Sequence, residues 1–190
     1  MFGALRRYIN SSMNGGTHDL QSPSAWVVRW AGHIPPAGRV LDVACGNGRH
    51  ARLLAARGHG VEAVDRDSAR IAALAGVPGI SARYADLENA SWPYAGQQFS
   101  GIVVIHYLHR PLFPHLLAAL ATGGVLIYET FAVGNERYGR PSNPAFLLKP
   151  GELLEVVRGR LEVVAYEALE VTDPKPAVLQ RICAMRRSTL

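Results

Sequence analysis

Apolar and polar positions alternate in blocks that change period along the chain. Residues 40–43, 61–64, 80–84, 99–105 and 125–128 read as short strands, the strongest carrying the apolar run Ile102-Val103-Val104-Ile105. Between them lie segments of helical spacing. One covers 49–57, with Leu53 and Leu54 inward and Gly58 as its stop, and others cover 68–75, closed by Gly76, and 111–120, opened by Pro111. Gly123-Gly124 turns the chain into the fifth run, and a helix from Pro150 to about residue 158 follows. Two β-rich stretches, 161–171 and 177–185, are joined by the turn Asp173-Pro174-Lys175-Pro176. Ahead of this pattern, Ser22 as cap and Pro23 at the first helical position predict a helix with Trp26 and Trp30 on one face, ended by Pro35-Pro36 and Gly38.

Near-continuous apolar strands separated by helices predict a parallel sheet covered on both faces. Two last strands without a helix between them predict an antiparallel pair at one edge. The expected fold is therefore α/β, a seven-stranded, mostly parallel, doubly wound sheet with a C-terminal hairpin. Residues 22–190 form one domain; residues 1–21 are a polar leader, either frayed or folded as a lid, with one apolar spacing at Phe2, Leu5 and Ile9.

Composition narrows the class. Apolar residues are 48% and charged residues 18% of 190, which excludes a disordered or collagen-like chain. The longest apolar stretch, 116–128, is interrupted by Thr122-Gly123-Gly124 and is too short to span a bilayer. Arg6-Arg7 is followed by polar residues, not by the apolar run of a secretory signal. Cys45 and Cys183 cannot form a disulfide framework, so a reducing cytoplasm is the expected compartment. The net charge of +5 favours anionic substrates, but the arginines are scattered and form no basic stripe, which argues against nucleic acid.

The chemistry-bearing pattern is Cys45-Gly46-Asn47-Gly48-Arg49-His50 between the first strand and its helix. Glycines there admit close backbone approach and leave amides at a helix N-terminus. Three acids accompany the loop. Asp42 stands at the end of the first strand, Asp65 at the end of the second, and Asp86 just after the third. Acids at the carboxyl ends of successive parallel strands converge on the crevice where such sheets bind ligands, which points to a nucleoside-bearing ligand. Gly46-x-Gly48-x-x-Ala51 also fits a dinucleotide fingerprint. Asp42 would oppose a pyrophosphate, whereas an ammonium and a sulfonium, as in S-adenosylmethionine, would be welcomed.

Val40-Leu41-Asp42-Val43-Ala44-Cys45-Gly46-Asn47-Gly48 resembles the first motif of class I S-adenosylmethionine-dependent methyltransferases. Within that superfamily the chain looks most like small bacterial methyltransferases of the tellurite-resistance and small-molecule type, over about residues 24–186. The resemblance implies a Rossmann-like fold and S-adenosyl-L-methionine as cofactor. Asp42, Ala44, Cys45, Gly46, Asn47 and Gly48 would hold its methionine portion. Asp65 would take the ribose hydroxyls, and Asp86 with the Leu87 amide would read the adenine edge. Arg49 either pairs with the methionine carboxylate or stays solvated. Ala44 replaces the usual glycine, which an ordinary backbone torsion would allow, and Arg66 replaces an apolar residue and would stack on the adenine.

Methyl transfer asks mainly for alignment and exclusion of water, with a base only when the nucleophile arrives protonated. His106 and Tyr107, at the end of the fourth strand, are the candidate catalytic residues, His106 also facing the cofactor. Glu129, Tyr138, Arg140 and Phe146 are the candidates for covering a substrate, the last three in an aperiodic loop after the fifth strand. His106, His109 and His115 lack a carboxylate or cysteine at ligand spacing, so no metal is expected. Expected partners are a small-molecule methyl acceptor, without nucleic acid or membrane. Two alternatives stay open: an NAD(P)-dependent oxidoreductase, and a non-catalytic S-adenosylmethionine-binding module.

Overall fold

A computed structural model describes residues 22–187. The expected leader or lid, residues 1–21, lies outside the described residues. The chain runs α1 (Ala25–Trp30), β1 (Arg39–Val43), α2 (Arg49–Ala56), β2 (Gly60–Asp65), α3 (Ser68–Ala72), β3 (Ile80–Tyr84) and β4 (Phe99–Ile105). It continues through α4 (Phe113–Ala119), β5 (Leu120–Phe131), α5 (Glu152–Val157), β6 (Glu162–Val171) and β7 (Ala177–Met185). The seven strands form one sheet in the order β3-β2-β1-β4-β5-β7-β6. The first five are parallel, and β7 is inserted antiparallel between β5 and β6.

Both faces of the sheet are covered, as the unbroken apolar runs require. On one face Leu41, Val43, Ile102, Val104 and Tyr128 pack with Leu116, Leu117 and Leu153. On the other, Val40, Val103, Ile105 and Ile127 pack with Trp26, Ala51 and Leu54. Leu54 of α2 is fully buried and Leu53 half-buried, packed against the same cluster, so both expected inward leucines meet the core.

Several boundaries differ from the sequence reading. The first helix is capped by Ser24 and not Ser22: the Ser24 hydroxyl accepts the Trp26 amide at 3.1 Å. The second and third helices stop early, and α3 is capped by Asp67, whose carboxylate accepts the amides of Ala69 and Arg70. β5 begins at Leu120, before Gly123-Gly124. The glycines occupy an irregularity in that strand, where the partner of Phe99 is Leu120 and the partner of Gly101 is Val125. Pairing of Gly123 and Gly124 with Arg186 fastens this irregularity to the chain after β7.

The consequence for function is geometric. β1 to β5 all end at one edge of the sheet, and their last residues and the segments leaving them carry every candidate group read from the sequence. Among the described residues, no helix is long and apolar enough to cross a membrane.

Candidate active site

A cleft of about 250 Å³ opens at the carboxyl ends of β1 to β4. Ala44 and Gly46 line it from the β1 turn, Asp65 and Arg66 from β2, Asp86 and Leu87 from β3, and His106 and Tyr107 from β4. Arg70, Ala85 and Glu88 complete the lining. The last three were not singled out by sequence. Arg70 reaches the cleft from a helix whose orientation only the fold sets, although Glu88 stands two residues beyond Asp86, where proximity was a usable signal.

The turn after β1 is built around Asp65. One of its carboxylate oxygens accepts the Gly46 amide at 2.8 Å and the other the Asp67 amide at 2.9 Å. A carboxylate offers about four acceptor positions, so each oxygen keeps one position to offer. Gly46 has φ +56°, and a Cβ there would meet only the Arg70 guanidinium, at 3.5 Å, on the cleft side. Gly48 serves a different purpose. Its φ is +72°, and a Cβ would strike Leu74 Cδ2 at 2.5 Å, so this glycine lets α2 start against Leu74 instead of facing the cleft.

Ala44 departs from the torsion expected of it. Its φ is +53°, in the left-handed region, where an alanine is strained by about 1–2 kcal/mol. Cys45 is buried, with its amide on the Val64 carbonyl and its thiol pushed well above the usual range by burial. Asn47 is exposed and Arg49 donates to the Ser22 carbonyl at 3.1 Å; with Cys45 and Gly48, neither lines the cleft.

Asp42 is buried beneath this turn. It accepts the Ala51 amide, yet its Oδ2 has no hydrogen-bond partner. Burial raises its pKa to about 7, against the pull of that amide and of Arg49, and Asp65 adds to the rise. A buried carboxyl with an unused oxygen behind a ligand cleft is a feature that a cationic ligand would relieve. Asp86 is half-buried in the same cleft. The Glu88 and Asn89 amides and the Asn89 side chain hold its carboxylate, and the Asn89 side chain contributes most to lowering its pKa. One acceptor position of about four stays available on it. Both arginines in the cleft are matched by carboxylates, Arg66 by Glu88 at 3.9 Å and Arg70 by Asp67 at 3.1 Å.

His106 sits where β4 ends, also with left-handed φ, +56°. Its amide donates to the Glu129 carbonyl at 2.8 Å and its ring packs on Phe131 with centroids 4.8 Å apart. Nε2 lies 3.9 Å from a carboxylate oxygen of Glu129, beyond hydrogen-bond length. Burial lowers the His106 pKa, with Glu129 opposing and Arg49 assisting, so the imidazole is neutral and able to accept a proton at neutral pH. Glu129 belongs to β5 and is buried. Ser24 donates to it at 2.8 Å and Arg181 at 3.4 Å, so it supports the site floor and is not part of a covering loop.

Among the other covering candidates, Tyr138 turns away, its hydroxyl bonded to Glu170, which raises the phenol pKa. Arg140 is exposed and lines no cleft described here. Phe146 does reach a cleft, a second one beside the first, together with Pro141 and Phe131. The Tyr107 phenol is raised by burial and by Glu88, and its carbonyl accepts the Tyr128 hydroxyl at 2.8 Å. His115 stacks on Trp92, in an apolar groove that shares no lining residue with the cleft. Among the described residues, no three His, Cys, Asp or Glu side chains gather as a metal site.

A parallel sheet with a reversed seventh strand and carboxylates at its ligand edge defines an α/β methyltransferase-type domain. The methyltransferase domain family model matches residues 17–161, and the chain belongs to that family. Its fold is that of the S-adenosylmethionine-dependent methyltransferases, whose cofactor is S-adenosylmethionine. TehB from Haemophilus influenzae superposes with a TM-score of 0.71 at 21% identity, over 85% of this chain and 61% of that one, so the match spans under two thirds of TehB's length. A TehB-like S-adenosylmethionine-dependent methyltransferase from Corynebacterium glutamicum gives 0.61 at 23% identity, over 85% and 87%. The N-methyltransferase NodS from Bradyrhizobium japonicum gives 0.65 at 15%, over 85% and 94%. No curated protein matches in sequence.

Proposed function

We propose that this protein moves the methyl group of S-adenosylmethionine to a small-molecule acceptor. The observation that carries the reading is the set of unfilled carboxylate positions at one cleft, one on each oxygen of Asp65 and one on Asp86, with the orphaned Oδ2 of Asp42 buried behind the turn that lines it. A ribose offers two hydroxyls, an adenine one amino group, and a methionine portion one ammonium. Those donors match the available acceptors in kind. A dinucleotide's pyrophosphate would instead need the amides of the glycine turn, where the Gly46 amide is already donated to Asp65 and the Asp65 carboxylate would oppose it.

In this reading Asp65 holds the ribose, while Asp86 with the Leu87 amide holds the adenine edge. The Ala44–Gly48 turn and Asp42 receive the methionine portion, with Arg49 nearby, and Arg66 flanks the base. When bound, the cofactor would supply an electrophilic methyl carbon on a sulfonium, with sulfur keeping the electron pair of the broken bond and the acceptor's lone pair forming the new one. The protein's part is alignment and exclusion of water. His106, held by the Glu129 carbonyl and Phe131, takes the proton of an acceptor that arrives protonated, and Tyr107 orients it.

Calorimetric titration with S-adenosylmethionine, and with NADH as comparison, tests this. Binding of the former alone is expected, with Asp65→Ala weakening it roughly 100-fold through loss of two charge-assisted hydrogen bonds. Binding of NADH, or of neither ligand, refutes the assignment.

A further inference from the structure

A second cleft, of about 210 Å³, adjoins the first and shares Glu88, His106 and Tyr107 with it. We infer that it receives the acceptor, and that the acceptor is a small, uncharged, ring-bearing molecule and not an oxyanion. The inference rests on the methyl-transfer reading above and adds the chemical class of the substrate, which no feature considered so far specifies.

Three observations support it. The first is continuity: with three residues common to both clefts, a molecule in the second abuts one in the first. The second is the wall. Tyr107, Phe131 and Phe146 contribute rings, and Leu108 and Pro141 add apolar surface. Phe146 is half exposed, which an isolated surface phenylalanine gains nothing from, yet its backbone is firmly held. Arg110 donates to the carbonyls on either side of it, Ala145 at 2.7 Å and Leu147 at 2.8 Å, and is itself fixed by Glu152 at 2.6 and 2.9 Å. Asn143 caps the same turn through the Ala145 amide at 2.9 Å. Phe146 is thus a pre-positioned aromatic face, the arrangement that binds rings with little loss of freedom.

The third is charge. No arginine or lysine is among the described residues lining this cleft. Glu88 stands in the wall it shares with the first cleft, and Glu129 lies behind His106. The cations that pair with these acids, Arg66 and Arg181, do not line the cleft. An oxyanion placed here would touch Glu88 and no arginine or lysine in the lining, although the chain as a whole is basic.

Ligand-observed saturation-transfer NMR tests the inference at near-neutral pH on the full chain loaded with S-adenosylhomocysteine. The probes are benzimidazole (a neutral ring), benzoate (an anionic ring) and selenite as a competitor. Benzimidazole is expected to bind, benzoate much more weakly, and excess selenite is expected not to displace benzimidazole. Phe146→Ala should weaken benzimidazole roughly two- to tenfold, the worth of one aromatic contact, with Phe146→Tyr restoring it and S-adenosylhomocysteine affinity unchanged in both. Displacement by selenite, equal binding of benzoate, indifference to Phe146→Ala, or absence of benzimidazole binding while S-adenosylhomocysteine binds each overturns the inference alone. Failure of S-adenosylhomocysteine itself to bind overturns the methyl-transfer reading, and the inference with it.

Discussion

Gly46 and Gly48 sit two residues apart in one turn, yet the structure gives them separable duties, and alanine at each should fail in a different way. Both have positive φ, so each alanine carries about 1–2 kcal/mol of left-handed strain. At Gly48 the new methyl also lands 2.5 Å from Leu74 Cδ2 and 2.9 Å from Cδ1, inside a packed core. Overpacking of this kind adds about 1–3 kcal/mol. At Gly46 the nearest atom is Arg70 Nη1 at 3.5 Å, an ordinary contact, so strain is the whole stability cost. Gly48→Ala should therefore be less stable than Gly46→Ala by about 2 kcal/mol, or roughly 4–8 °C in melting temperature for a chain of this size. Ligand affinity should rank the opposite way. The Gly46 methyl projects into the cleft and crowds the approach of a ligand, and S-adenosylhomocysteine binding should fall roughly tenfold or more, about 1.4 kcal/mol. Gly48→Ala, once folded, should bind within a few-fold of the parent. Thermal unfolding without ligand and calorimetric titration of the folded proteins read the two effects independently. Equal melting temperatures for the two variants, or a larger affinity loss at Gly48, would show that the division of labour is wrong.

Other expectations follow from the same geometry. Ala44→Gly should leave unfolding free energy unchanged or raise it by up to about 1 kcal/mol in denaturant titration, while Ala44→Val lowers it by at least about 2 kcal/mol, because a β-branched residue tolerates positive φ poorly. Asp42 has a folded-state pKa of about 7 against 3.8 as its ordinary value, so the fold favours its protonated form. Its stabilising contribution is complete below about pH 4 and is lost as pH rises toward 7. The stability of the parent minus that of Asp42→Asn should fall across that window, by up to about 4 kcal/mol, and be flat above it; a difference independent of pH refutes the buried carboxyl. Arg110→Ala removes the fork that holds both carbonyls flanking Phe146 and the pair with Glu152. A loss of about 2–3 kcal/mol and faster amide exchange across residues 143–149 are expected, with S-adenosylhomocysteine affinity preserved. Unchanged exchange there would mean that residues 143–149 are held by something else.

Much of the fold was legible because parallel strands advertise themselves. Runs such as Ile102–Ile105 are buried on both faces, so apolar character alone reveals them. The absence of a helix between the last two strands likewise announced the hairpin. What period and propensity could not say was that β7 enters between β5 and β6, since strand order is a matter of long-range pairing. Caps went astray for a related reason. Ser22-Pro23 has the local chemistry of a helix start, but Ser24 is held by Glu129, 105 residues away, and by the ring of His50, 26 away. Neither contact has a local signature.

The site divides in the same fashion. Asp65, Asp86, Leu87, Gly46 and His106 were readable from their place after successive strands, and they do border one cleft. Arg70 enters that cleft by helix orientation alone. Tyr138 and Phe146 look alike in sequence, an aromatic each in one polar loop, and only tertiary bonding sends the first to Glu170 and the second to the cleft wall. Ala44 is the instructive misreading: a methyl looked harmless there because torsion is invisible in a string of letters, and the backbone takes the glycine conformation regardless.

The most direct check is a crystal structure of the protein with S-adenosylhomocysteine. The account predicts both ribose hydroxyls on the Asp65 carboxylate, the adenine amino group at Asp86 beside Leu87, and the amino-acid portion over Ala44 and Gly46 with Asp42 beneath. A nucleoside bound elsewhere, or seated in this cleft with Asp65 bonded still to the Gly46 and Asp67 amides alone, would contradict it.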